Sequence, residues 1–224
     1  DHVAINVALY GRKRRWAMTE RGHRTLDRSA NHFRVGPSGL EWDCGCLSLE
    51  IEERGAVFGE PVRGRIRIHP EALVAQSFPL DPEGVHRWHP IAARARIDVQ
   101  FERPGLAWTG DAYVDSNFGS EPMERGFRTW QWSRHHVPGG AVVFYEGLRT
   151  DGSHFALSLG IDRAGEVTSR ETPALAKLRR TNWLMPREIR SDGPARVLKT
   201  WEDTPFYSRS AAETRIDGHT ALAV

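Results

Sequence analysis

Apolar and polar residues alternate with a period of two over much of the chain. Residues 62–69 (VRGRIRIH) place Arg63, Arg65 and Arg67 on one face and Ile66 and Ile68 on the other. Residues 94–102 (RARIDVQFE) continue the alternation and turn Ala95, Ile97, Val99 and Phe101 inward. This is the pattern of antiparallel strands with one buried face. Comparable runs predict strands at 107–114, 127–133, 141–149, 154–161, 167–171 and 196–201. Turn signals separate them: Arg103-Pro104-Gly105, Pro138-Gly139-Gly140, Asp151-Gly152, Arg163-Ala164-Gly165 and Asp192-Gly193-Pro194. Only residues 173–180 (PALAKLRR) predict helix, a turn or two. The expected class is all-β with very little helix, built as an antiparallel sandwich or up-and-down barrel.

The alternation fails between Pro70 and Pro90, a stretch that also holds Pro79, Pro82 and Gly84. A long irregular connection in a β protein reads as a linker or functional loop. The expected organisation is an N-terminal β unit over 1–75, a junction loop over 76–90 and a C-terminal β unit over 91–224. The chain opens at Asp1 directly on a strand-like run, so it is expected to be part of a longer protein, with both units incomplete at their outer ends.

Composition narrows the function classes. Hydrophobic residues at 39% and charged residues at 27% allow a buried core and exclude wholesale disorder. A net charge of +2 is too small to argue for nucleic acid. No apolar run is long enough for a membrane-spanning helix, and no signal peptide is recognisable. Cys44 and Cys46 are poorly spaced for a bridge and too few for a zinc site, so they read as small half-buried residues in a reducing compartment. Arg12-Lys13-Arg14-Arg15 reads first as a solvated loop, with anionic lipid as the lesser reading.

Two clusters carry candidate chemistry. In His86-Arg87-Trp88-His89, an extended backbone puts His86 and Trp88 on one face. In Asp111-Ala112-Tyr113-Val114-Asp115-Ser116-Asn117, one face collects Asp111, Tyr113, Asp115 and Asn117. Burial of an Asp in an apolar strand favours its protonated form, which is a general acid. Trp and Tyr faces stabilise a cation, and a His can take a proton from water. Acid, aromatic lining and base suit hydration of an alkene. A strand-end Asp more often caps a turn or pairs with Arg, and a single His is more often a loop residue. Trp88, Trp108, Trp130 and Trp132 each read as core. His135 and His136, adjacent on a strand, point to opposite faces and do not form a metal pair.

Several segments, in order along the chain, resemble the carotenoid 1,2-hydratases, also called hydroxyneurosporene synthases. They are NVALYG and RWAMTERG near the start, HRWHP at 86–90, Arg103-Pro104-Gly105 with Trp108, AYVDSNFGSEP at 112–122, WQWSR at 130–134 and EDTPFYSRS at 202–210. The resemblance implies a lipocalin-like β architecture of two barrel units, with an apolar pocket near their junction. It implies addition of water across the terminal 1,2 double bond of neurosporene or lycopene, without metal or organic cofactor. By position it assigns catalysis to Asp115, with His86, Trp88 and Tyr113 as partners. Asp115 would protonate carbon 2, Trp88 and Tyr113 would face the tertiary cation at carbon 1, and His86 would position water and accept its proton. Because the substrate lives in membranes, peripheral contact on the bacterial cytoplasmic side is expected. Members of this family continue beyond both ends of this sequence. Two other readings of the same architecture are a non-catalytic carrier of an apolar isoprenoid and a β-barrel isoprenoid cyclase.

Overall fold

The alternation at 62–69 becomes strand β7 (Pro61–Pro70) in the computed structural model of the chain, which describes residues 2–224. Before it come β1 (His2–Leu9), β2 (Arg15–Gly22), β3 (Leu26–Arg28), β4 (His32–Val35), β5 (Ser38–Asp43) and β6 (Cys46–Arg54). After it come β8 (Phe78–Pro79), β9 (His86–Arg103), β10 (Leu106–Gly119), β11 (Phe127–Val137), β12 (Gly140–Arg149) and β13 (His154–Asp162). The last are β14 (Val167–Ser169), β15 (Leu175–Leu178), β16 (Arg187–Arg190), β17 (Arg196–Asp203), β18 (Ser208–Ile216) and β19 (His219–Ala223). One helical turn, α1 (Met123–Gly126), precedes β11. The protein is all-β, as its periodicity predicts. Its sheets are open, and no barrel closes among the described residues.

The chain forms two compact units and passes between them three times. Asp1–Glu71 and Ala95–Tyr113 make the first; Ala72–Arg94 and Val114–Val224 make the second. Proline-rich 72–94 therefore belongs with the second unit. Its last part is not loop but the start of β9, which pairs with β8 at Phe78↔Trp88 and Pro79↔Arg87.

In the first unit β9 lies between β10 and β7, and β6, β5, β4 and β3 follow in order, with β1–β2 as a separate ribbon. Arg63 and Arg65 of β7 sit opposite Glu52 and Glu50 of β6 and bond to them at 3.0 and 2.8 Å. The arginine row is thus a solvent face of cross-strand pairs, each contributing at most about 1 kcal/mol. The opposite face carries the core: Ala17, Ile51, Val62, Val99 and Phe101, with Ile66 and Ile97 against it. Among the described residues of this unit, Glu53 is a buried carboxylate. Glu53 receives Arg21 Nη1 and Nη2 at 3.1 and 2.9 Å and the Ser38 hydroxyl at 2.5 Å. Burial pushes the Glu53 carboxyl up, but bonds from Arg21, Ser38 and Thr19 outweigh it and hold it below the usual range. The tip of the β5–β6 hairpin holds Cys44 at φ 47°, so the two cysteines do not share an extended face; both thiols are free.

The second unit has a seven-stranded sheet ordered β14-β13-β12-β11-β19-β18-β17, and a separate β15–β16 hairpin. That hairpin replaces the helix predicted over 173–180. Strand β12 is buried on both faces from Gly140 to Tyr145. On one face Val142 and Phe144 pack with Ile216 and Ala221. His135 of β11 joins this side, its Nδ1 2.9 Å from the Thr214 hydroxyl and its Nε2 3.0 Å from that of Ser133. Burial, with a smaller contribution from His136, lowers the His135 pKa to about 4. The other face presents Tyr145 opposite Trp132 of β11 and Leu157 of β13. Trp130 and Phe155 share that face, one on each side of Gly147.

Candidate active site

Strand β9 positions the first cluster. His86 and Trp88 alternate with half-buried neighbours, so both turn toward the interior of the second unit, and both are buried. Trp88 is 0% exposed. Its indole meets Phe78 of β8 at 6.1 Å between ring centroids and Tyr145 of β12 edge-on at 5.7 Å. These are favoured aromatic geometries. The indole N–H donates to Asp115 Oδ2 at 2.8 Å. This bond joins the two clusters that the sequence singles out.

Asp115 stands on an exposed face of β10, together with Asn117. The family resemblance implies an apolar pocket around this carboxyl, and burial is what would keep it protonated. The structure instead leaves it reachable from outside, with only its indole partner fully enclosed. The difference follows from β10 itself: Ala112, Val114 and Ser116 turn to the more enclosed side, which puts 111, 113, 115 and 117 on the open one. Tyr113 shares this open face in sequence register and is half-buried. It is the last residue of the first unit, whereas Asp115, Trp88 and His86 belong to the second.

His86 is fixed by a carboxylate that the sequence reading passes over. Its Nδ1 lies 3.1 Å from Asp81 Oδ2 and its Nε2 3.3 Å from the Pro122 carbonyl. Both partners are acceptors, so the ring satisfies both only as the imidazolium, and one of them as the neutral base. Burial pushes the Asp81 carboxyl up, but the backbone N–H groups of His86 and Val85 and the His86 ring outweigh it and hold it below the usual range. The imidazole also packs edge-on against Phe127 at 5.1 Å. A Cβ on Gly126 would sit 2.7 Å from His86 Cε1, so only glycine lets α1 end where the ring lies.

Tyr145 is the second residue that sequence reasoning misses. Its hydroxyl donates to Asn117 Oδ1 at 3.1 Å. Burial, then the nearby charge of Asp115, push its pKa up to about 12, so it remains a donor at physiological pH. From Tyr145 the rings run two ways. Phe155, at 5.6 Å, leads on through Phe127, at 5.2 Å, to His86. Trp130, at 6.4 Å, leads on to Tyr207, at 6.5 Å. Trp130 is half-exposed rather than core. Chemically, this is an accessible carboxyl backed by a row of π faces, with an Asp–His pair on the same wall.

A family model described as carotenoid hydratase CrtC matches residues 1–224. Acyclic carotenoid 1,2-hydratase of Thiocapsa roseopersicina is 42% identical over 228 residues, covering 100% of this chain and 56% of its own length. The Rubrivivax gelatinosus protein of the same name is 41% identical, with the same coverage. That of Cereibacter sphaeroides is 36% identical over 227 residues, 81% of its length. The chain thus spans about half the length of the first two relatives. No solved structure matches it.

Proposed function

The chain belongs to the carotenoid hydratase family, and from that membership we propose that its protein adds water across a terminal 1,2 double bond of an acyclic carotenoid such as neurosporene or lycopene. The relatives' shared name supports the substrate class and reaction. The bond from Trp88 to Asp115 is the observation that carries the mechanism. With Oδ2 accepting the indole N–H, Asp115 transfers a proton from Oδ1 to carbon 2. The π electrons form the new C–H bond and leave a tertiary cation at carbon 1. Trp88 and Tyr113 face that cation, and Tyr145 adds a third electron-rich ring. A water oxygen attacks carbon 1, and His86 takes the proton it releases. Asp81 orients the imidazole and stabilises the imidazolium, the part a carboxylate plays beside a catalytic His. The proton then passes to solvent, from which Asp115 is recharged. The substrate is drawn from a membrane on the cytoplasmic side, where the protein binds peripherally.

Product mass tests the reaction, because hydration adds one water whereas cyclisation or carriage adds nothing. Asp115→Asn abolishes that mass gain while leaving the β circular dichroism and melting temperature of the protein unchanged. Normal turnover by this variant overturns the assignment of Asp115.

A further inference from the structure

The second unit has an edge where large apolar residues stand in solvent beside unpaired positive charge. The loop between β15 and β16 exposes Trp183 (60%) and Leu184 (69%), and the turn between β17 and β18 exposes Phe206 (85%). The two tips are joined: the Asn182 N–H donates to Asp203 Oδ2 at 2.7 Å. Leu184 holds a left-handed backbone at φ 62°, a conformation that costs a non-glycine residue about 1 kcal/mol or more. That turn is fixed by Leu184 N–H to the Thr181 carbonyl and Met185 N–H to the Thr181 hydroxyl. Backbone strain here holds a leucine out of the core rather than in it.

Beside the tips lies a cleft of about 540 Å³ lined by Arg179, Arg180, Arg187 and Lys199 among others. None of these four has a carboxylate partner among the described residues, whereas Arg196, also in the lining, is paired with Glu213. Arg187 is held by the carbonyls of Arg179 and Arg180 and the hydroxyls of Thr200 and Ser210. One anionic atom is set among them. Asp203 Oδ1 is buried and accepts no hydrogen bond. The cleft therefore offers positive charge for a phosphate.

The geometry points to this edge as a docking surface for a bilayer of anionic glycerophospholipid: Trp183, Leu184 and Phe206 enter the headgroup–acyl boundary, and the cleft takes a headgroup. Aromatic and aliphatic tips flanked by cations are the composition of interfacial anchors. The position of the edge relative to Asp115 adds a second argument. Phe206 adjoins Tyr207, and Tyr207, Trp130, Tyr145 and Trp88 form consecutive ring contacts ending at the Asp115 bond. The edge is thus linked to the acid by a continuous run of packed rings within the second unit. The assignment of this edge deepens the proposed function, since it rests on a membrane as the source of substrate.

The test is co-sedimentation of the purified protein with vesicles of phosphatidylcholine alone or mixed with phosphatidylglycerol, with no carotenoid present. The protein sediments with the mixed vesicles and far less with the neutral ones. The variant Trp183→Ser/Leu184→Ser/Phe206→Ser lowers partitioning at least tenfold, and so does Arg179→Gln/Arg180→Gln/Lys199→Gln. Both keep parental hydration of detergent-dispersed substrate. Bromine-labelled acyl chains quench part of the parent's Trp emission, and Trp183→Phe loses that part. Sedimentation of both variants at the parental level, or no vesicle binding by the parent, overturns the docking surface. So does concentration-dependent self-association that the same substitutions abolish, which assigns the edge to a second copy. Vesicle binding without any hydration overturns the proposed reaction and leaves the surface standing.

Discussion

Asp115 is set apart from the other acidic residues by one hydrogen bond from a fully buried indole. A hydrogen bond to a charged group contributes about 1.5–3 kcal/mol, and each 1.4 kcal/mol on a barrier is a factor of ten. Trp88→Phe, which keeps a π face but removes the N–H, should therefore lower kcat about 10- to 100-fold with little change in KM. An unchanged kcat would show that the bond is incidental. His86 depends on space. The Cβ added by Gly126→Ala falls 2.7 Å from its ring, so the imidazole must turn away from Asp81. Hydration should fall about tenfold, since small misplacements of a catalytic group are costly, and the melting temperature should move by only a few degrees. Much of this constellation is legible in the sequence, because strand alternation alone puts His86 with Trp88 and Asp115 with Tyr113. Tyr145 is not legible: β12 is apolar on both faces, so no polar neighbour marks which side is the site. Asp81 is hidden differently, in a proline-rich stretch where an Asp is the ordinary turn residue.

Elements are legible where one face meets water. Strands β7 and the later part of β9 fall where the period of two puts them. At 173–180 the reading fails, because Ala, Leu, Lys and Arg all favour helix. Pairing of Leu175–Leu178 with Arg187–Arg190 overrides that preference, with Ala176 and Leu178 packed against Ile189. The start of β9 is masked by Pro90, which lies between the stretch pairing with β8 and the stretch pairing with β7. Polar contacts between elements differ sharply in weight. The Arg65–Glu50 pair on β7–β6 is exposed on both sides, and its removal should cost less than about 1 kcal/mol. Glu53→Ala instead strands Arg21, which is itself largely enclosed, and should cost about 3 kcal/mol. Urea unfolding of the two variants, Arg65→Ala and Glu53→Ala, distinguishes them; equal losses would contradict the burial argument.

At the scale of the whole molecule, stability couples to pH through His135. Its ordinary value is 6.5 and its folded value about 4. Between these the unfolded chain takes up a proton that the folded one refuses, so stability is complete above 6.5 and falls as pH drops toward 4. The interval corresponds to about 3 kcal/mol. The urea midpoint should therefore decline over this range in the parent and stay flatter in His135→Gln; parallel profiles would refute the assignment. Asp81 and Glu53, both held below the ordinary carboxylate range, add stability that is lost only at lower pH. The fold class lies in the periodicity of the chain, but the interleaving of segments does not, because it depends on partners distant in sequence. That interleaving has a consequence during translation. Residues 72–94 leave the ribosome before 95–113, yet 95–113 complete the first unit while 72–94 wait for the second. Trp88 emerges long before β12 and β13, whose Tyr145 and Phe155 complete its aromatic wall. A nascent chain stalled after Tyr113 thus carries the segments of the first unit and a bare indole, the kind of exposed apolar surface on which a chaperone acts.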